Sequence, residues 1–208
     1  MYKRVFSIGL AVFLLVSAAS AQRAEVTVSL NEAFFDALLD SAFQNFDPPE
    51  FSMAENKNSG CSESIKVLRE MNGVRTAVRF REGKIFVPLA FSGNYAPPFV
   101  GCVGFAGWAE TNIDLEFDQA GQRLIGRARV LNVNLNGTGG VGGTMIAKLL
   151  QGSIDKKLNP IEIIRLDKLT FGVPVQNGGS LRMRAASVRP EVGGGVLNIR
   201  VTYDFLKG

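Results

Sequence analysis

Apolar positions along this chain follow two periods, and the places where one gives way to the other mark its elements. Between residues 30 and 45 the spacing is helical. Phe34, Leu38 and Ala42 form one stripe and Phe35, Leu39 and Phe43 the stripe beside it, while Asn31, Asp36, Asp40 and Gln44 take the rest of the circumference. Ser29 and Glu32 stand ahead of this run as a capping box, which predicts a helix from about Leu30 to Asn45, stopped by Asp47-Pro48-Pro49. A second helical run, from about Thr144 to Leu158, places Met145, Ile146, Leu149, Leu150, Ile154 and Leu158 on one face, and Pro160 ends it.

Elsewhere the period is two. Val74, Thr76, Val78 and Phe80 alternate with Arg75, Ala77, Arg79 and Arg81, which predicts a strand with one apolar and one basic face; Glu82-Gly83 then turns the chain. Lys84 to Ser92 returns with Ile85, Val87, Leu89 and Phe91 in alternation. Further strands are predicted around Ile113–Phe117, over Arg123–Leu135, around Leu169–Val175, around Leu181–Ala185 and over Leu197–Phe205. Residues 52–64 read as a polar loop, and 94–107 as a Pro/Gly-punctuated loop leading to the single tryptophan, Trp108. The sum is an α+β fold: a curved, mostly antiparallel sheet of about seven strands packed on two apolar helices. Arginines pair on several strand faces, among them Arg75, Arg79 and Arg81. Such a face is either the solvated outside of a sheet or a cradle for anionic headgroups, which guanidinium forks fit.

The first residues change how the rest is read. Lys3 and Arg4 precede an apolar stretch, Val5–Val16, and Ala19-Ser20-Ala21 is a small-x-small cleavage site, so residues 1–21 are expected to be an export signal removed before Gln22. The domain is then 22–208, exported to the periplasm or beyond the cell. No cysteine at the cleavage point marks the chain for lipid attachment. In an oxidising compartment the two cysteines, Cys61 and Cys102, are most simply a disulfide; the alternative is a pair of free redox thiols, at a spacing far from Cys-x-x-Cys.

Composition narrows the chemistry. Without Lys3 and Arg4 the chain carries 21 cations against 19 anions, so nothing recommends nucleic acid as a partner. There is no histidine. That removes the Ser-His-Asp and Cys-His mechanisms and the commonest transition-metal ligand. Gly137-x-Gly139-x-x-Gly142 matches a dinucleotide fingerprint, but it sits among hairpins with no further helix–strand units after it, so it reads as a close-approach turn and no cofactor is expected. No catalytic or metal-ligating set emerges, and the expectation is a protein that is not an enzyme.

The order of elements resembles the tubular lipid-binding (TULIP) superfamily and the bacterial envelope domains similar to it. The resemblance rests on the capped segment SLNEAFFDALLDSAF and on the C-terminal run GTMIAKLLQGSIDKKLNP, LDKLTFGVPV, SLRMRAASVRPEV, GVLNIRVTYDF; residues 52–110 do not align to that pattern. It implies binding of a lipid or other long apolar molecule. Read onto this chain, Phe34, Phe35, Leu38, Leu39, Phe43, Met145, Ile146, Leu149 and Leu150 are the candidate lining, and Arg75, Arg79 and Arg81 the candidate headgroup ligands, with peripheral membrane contact as a second partner class. The competing expectation is a structural or interaction protein of the envelope with a fully packed core; an enzyme working through carboxylates is a third.

Overall fold

The computed structural model describes residues 23–52, 61–96, 101–136, 142–176 and 178–208. The expected export segment, most of the polar loop before Cys61, and the fingerprint positions Gly137 and Gly139 lie outside the described residues. Within them the chain runs β1 (Arg23–Asn31), α1 (Glu32–Asn45), β2 (Glu50–Ser52), β3 (Ser64–Leu68), β4 (Glu70–Met71), β5 (Val74–Arg75), β6 (Arg79–Arg81), β7 (Lys84–Tyr95), β8 (Val103–Asp118), β9 (Arg123–Leu135), α2 (Gly143–Lys157), β10 (Ile161–Arg165), a short 3₁₀ turn at Leu166–Leu169, β11 (Phe171–Val175), β12 (Gly179–Gly193) and β13 (Val196–Lys207).

All pairings are antiparallel. A seven-stranded sheet has the order β10-β9-β8-β7-β3-β2, with β6 also on β7; a four-stranded sheet has the order β1-β13-β12-β11; β4 and β5 form a small ribbon. The expected architecture of a curved antiparallel sheet with two helices is present, but as half-barrels of thirteen described strands rather than about seven. Three causes account for the difference. The predicted strand at 74–81 splits, because Thr76 and Ala77 are both buried and leave the ladder between β5 and β6. Short strands at 50–52, 64–68, 70–71 and 161–165 carry too few residues for period two to show, and the alternation of β1 runs straight into the helical period of α1, so the pattern does not set that strand apart.

The start of α1 also differs from the expected capping box. Ser29 belongs to β1, where it pairs with Asn198, and its hydroxyl donates to Asn198 Oδ1 at 2.6 Å. The cap is Asn31, whose Oδ1 accepts from the Phe34 N–H at 2.9 Å. Glu32 Oε1 is turned instead to the Phe80 N–H, 2.7 Å away. The strand therefore passes into the helix with no intervening loop.

α2 starts where the glycine run ends. Gly142 is left-handed at φ +86°, and a Cβ on Gly143 would lie 2.8 Å from the Val133 carbonyl oxygen, so α2 approaches β9 closely enough to require glycine there. Two α2-side amides then finish the β9 edge where β10 stops. Asn159 accepts from Ala128 N–H and donates to Ala128 C=O, both at 2.8 Å, and Gln151 Oε1 accepts from Val130 N–H at 2.6 Å. The core has three parts. Ile65, Phe91, Ala109 and Val133 pack under Ile146, Leu150 and Ile154 of α2. Leu124 and Leu166 meet Ala185, Val188, Val201 and Tyr203 between the sheets. Phe80, Ile85 and Leu197 gather with Phe35 near the root of α1. Cys61 and Cys102 form a disulfide across 41 residues, with Cα atoms 5.3 Å apart.

Candidate ligand cavity

Between the seven-stranded sheet and the two helices lies a cavity of about 510 Å³. Leu39, Ala42, Phe43 and Phe46 form the wall from α1, and Leu150, Ile154 and Leu158 the wall from α2. The floor crosses the sheet: Phe51 on β2, Val67 on β3, Val87 and Leu89 on β7, Thr111 and Ile113 on β8, Ala128 on β9 and Ile161 on β10. Those six strands are consecutive neighbours, so at ~4.8 Å per strand the floor measures roughly 20–25 Å along the curved sheet. The space is long across the sheet.

Its polarity is almost nil. Besides Asp47 at the rim, the polar lining residues are Thr76 and Thr111, and both hydroxyls are engaged by the backbone. Thr76 Oγ1 donates to Leu68 C=O at 2.6 Å and accepts from Ala90 N–H at 3.0 Å; Thr111 Oγ1 donates to Val87 C=O at 2.7 Å. A molecule in this space meets methyl, methylene and ring carbon, with no hydrogen-bonding group left to satisfy.

The nine residues put forward from sequence divide three ways. Leu39, Phe43 and Leu150 face the cavity. Phe35 joins the Phe80 cluster, while Ile146 and Leu149 pack with the α2 core. Phe34 and Leu38, 48% and 53% exposed, lie on the outer flank of α1, and Met145 lies exposed at the start of α2, beside the Tyr95 hydroxyl. Helical spacing located the helices' apolar arcs, but those arcs are wider than the cavity wall. Ile154 and Leu158 share the apolar face of the second helical run and line the cavity without having been among the nine; Phe46 and the floor positions on β2, β3 and β10 carried no periodic signal that could single them out.

The arginines have a different setting from the one expected. Glu32, Asp36 and Asp40 lie one helical turn apart on α1, beside its cavity face, and meet three guanidinium groups. Arg79 reaches Asp36 at 3.1 Å and Glu32 at 3.7 Å; Arg69 reaches Asp40 at 2.7 Å and Asp36 at 3.8 Å; Arg75 reaches Asp40 at 2.6 Å. Arg69 also donates to the Thr76 carbonyl. Hydrogen bonds from Arg69 and then Arg75 hold the Asp40 carboxyl below the usual aspartate range. Arg79 thus binds α1 to the larger sheet and Arg75 binds it to the β4–β5 ribbon, and Arg81 is exposed at the end of β6. Arg69, not singled out from sequence, sits at the centre of this network. It falls between the short strands β3 and β4, where no alternating pattern marks it.

Among the described residues, no group of three or more Asp, Glu or Cys is placed to hold a metal ion, and no helix is long and apolar enough to cross a membrane. No protein-family model matches this chain, and none of the curated proteins matches it.

Proposed function

We propose that the protein is an exported, non-catalytic carrier that buries one long apolar molecule, lipid-like in character, between its two helices and its curved sheet. The observation that carries this reading is the cavity itself: elongated, about 510 Å³, and lined by carbon with its two hydroxyls already engaged. Each methylene transferred from water into such a lining contributes about 0.8 kcal/mol. The carrier role agrees with the resemblance to tubular lipid-binding domains, and the Cys61–Cys102 bridge is compatible with an oxidising compartment. With Arg75 and Arg79 engaged by α1, the ligand is held by its chain and not by those arginines. Titration with a polarity-sensitive naphthylamine probe tests this: saturable one-to-one fluorescence enhancement, reversed by a long-chain ester, is expected. Absence of enhancement, with the protein folded by circular dichroism, contradicts it.

A further inference from the structure

The two larger sheets end on four strands: β1 and β11 bound the four-stranded sheet, β10 and β2 the seven-stranded one. An edge strand offers a row of unpaired N–H and C=O groups, and folded chains ordinarily guard that row. Three of these edges are guarded. β2 is only three residues long, β10 is broken by the bulge between Glu162 and Ile164, and β11 is five residues long and carries Pro174. β1 has none of these devices. Its nine residues hold an unbroken register with β13, from Arg23 opposite Asp204 to Asn31 opposite Val196, and contain neither proline nor lysine.

The side chains of β1 leave the edge open as well. Val26 and Val28 stand opposite Val201 and Ile199, so they carry the core face of β13 outward and end it 44% and 46% exposed. On the other face the polar groups reach back across the ladder. Arg23 meets Asp204 at 3.3 Å, Glu25 meets Arg200 at 3.8 Å, and Ser29 donates to Asn198 at 2.6 Å. Both charges of β1 are thus paired within their own sheet.

The sequence of β1 fits one strand in particular, which is β1 itself. Laid antiparallel to a second copy so that all nine residues pair, RAEVTVSLN turns on Thr27. Val26 then faces the second copy's Val28, Ala24 its Leu30, Glu25 its Ser29 and Arg23 its Asn31, with Thr27 on Thr27 at the axis. The apolar side chains of both copies fall on one side of the joined sheet, and no like charges meet. The ladder closes about eight to ten backbone hydrogen bonds. We propose that β1 is a self-association edge: two copies of this chain pair along it about a two-fold axis at Thr27, joining their four-stranded sheets into one of eight strands. The pairing stands on β1 and does not draw on the carrier reading.

Sedimentation velocity of the purified chain over a range of concentrations tests it, and a concentration-dependent dimer is expected. A monomer throughout overturns the proposal. Val26→Lys combined with Val28→Lys sets ammonium groups against one another across the axis and is expected to weaken the dimer roughly a hundred-fold, with the circular dichroism spectrum unchanged. Mixing that variant with Val26→Glu combined with Val28→Glu is expected to restore a mixed dimer. A dimer that survives the lysine pair overturns β1 as its surface. Cross-linking reads the register without disturbing the apolar face. Thr27→Cys brings two thiols together at the axis, where Cα atoms ~4.5–5.5 Å apart suit a disulfide, and a covalent dimer on mild oxidation is expected. Arg23→Cys leaves its two thiols roughly 27 Å apart along the strand and is expected to give none. Equal cross-linking at both positions, or none at Thr27→Cys, overturns the proposal.

Discussion

Leu150 shows how one side chain serves both the core and the cavity. It is fully buried, packs with Phe91 and Ile65 on one side, and forms cavity wall on the other. Leu150→Ala removes contacts that its neighbours cannot replace, because the space beyond them is already empty. A loss of about 2–5 kcal/mol in guanidinium unfolding is expected. Ala42 on α1 is the converse case, a small residue facing open space. Ala42→Phe is expected to fill that space, leave stability unchanged or raised, and lower apolar-probe affinity at least ten-fold; unaltered affinity would place the ligand elsewhere. Asp40 gives a pH signature. Its folded-state pKa is depressed by Arg69 and Arg75, so its contribution is complete above the unfolded aspartate value, near 4, and is lost as pH falls through the lower folded value. Asp118, lowered by the Gly121 N–H and then Arg123, acts in the same direction. Asp40→Asn is therefore expected to flatten the fall in stability below about pH 5, measured as the guanidinium midpoint against pH.

At the scale of elements, the two helices are held by different means. α2 contributes five buried residues and completes the β9 edge through Gln151 and Asn159. α1 has no buried residue; it is fastened along one side by the Glu32, Asp36 and Asp40 ion pairs and by the packing of Phe35 against Phe80. Partly exposed ion pairs are individually weak and screened by salt. Amide hydrogen exchange in α1 is accordingly expected to be faster than in α2, and faster still at high ionic strength; equal protection in the two helices would contradict this division. The same contrast explains what the sequence made legible. β9, α2 and β13 were readable because their apolar positions fall between clear turns, whereas β12 was read only around Leu181–Ala185, where a bulge between Ala185 and Ser187 breaks its alternation. α1 was readable as a helix but not in its starting point, since the alternation Ala24, Val26, Val28, Leu30 runs into the helical period without a break and Ser29 mimics a cap. β10 was hidden by the bulge between Glu162 and Ile164, which breaks its alternation. Of the cavity, the helical walls could be read in outline. The floor could not, because it is assembled from one or two positions on each of six strands brought together only by the sheet order.

At the scale of the whole molecule, the architecture separates two tasks. The four-stranded sheet packs against the larger one through Leu124, Val188, Val201 and Tyr203 and contributes nothing to the cavity lining, so it acts as a foundation. The opposite region, under the helices, is left incompletely filled. The Cys61–Cys102 bridge closes a long loop beside β3 and β8, and its removal by paired serine substitution is expected to cost about 4 kcal/mol of unfolding free energy on the chain-entropy relation. The measurement that reaches the central proposal most directly is native mass spectrometry of the purified protein after incubation with a total lipid extract, read beside Ala42→Phe. The proposal predicts a one-to-one adduct with a long apolar molecule on the native protein and its loss from Ala42→Phe; a native protein that stays at its bare mass in excess lipid would contradict it.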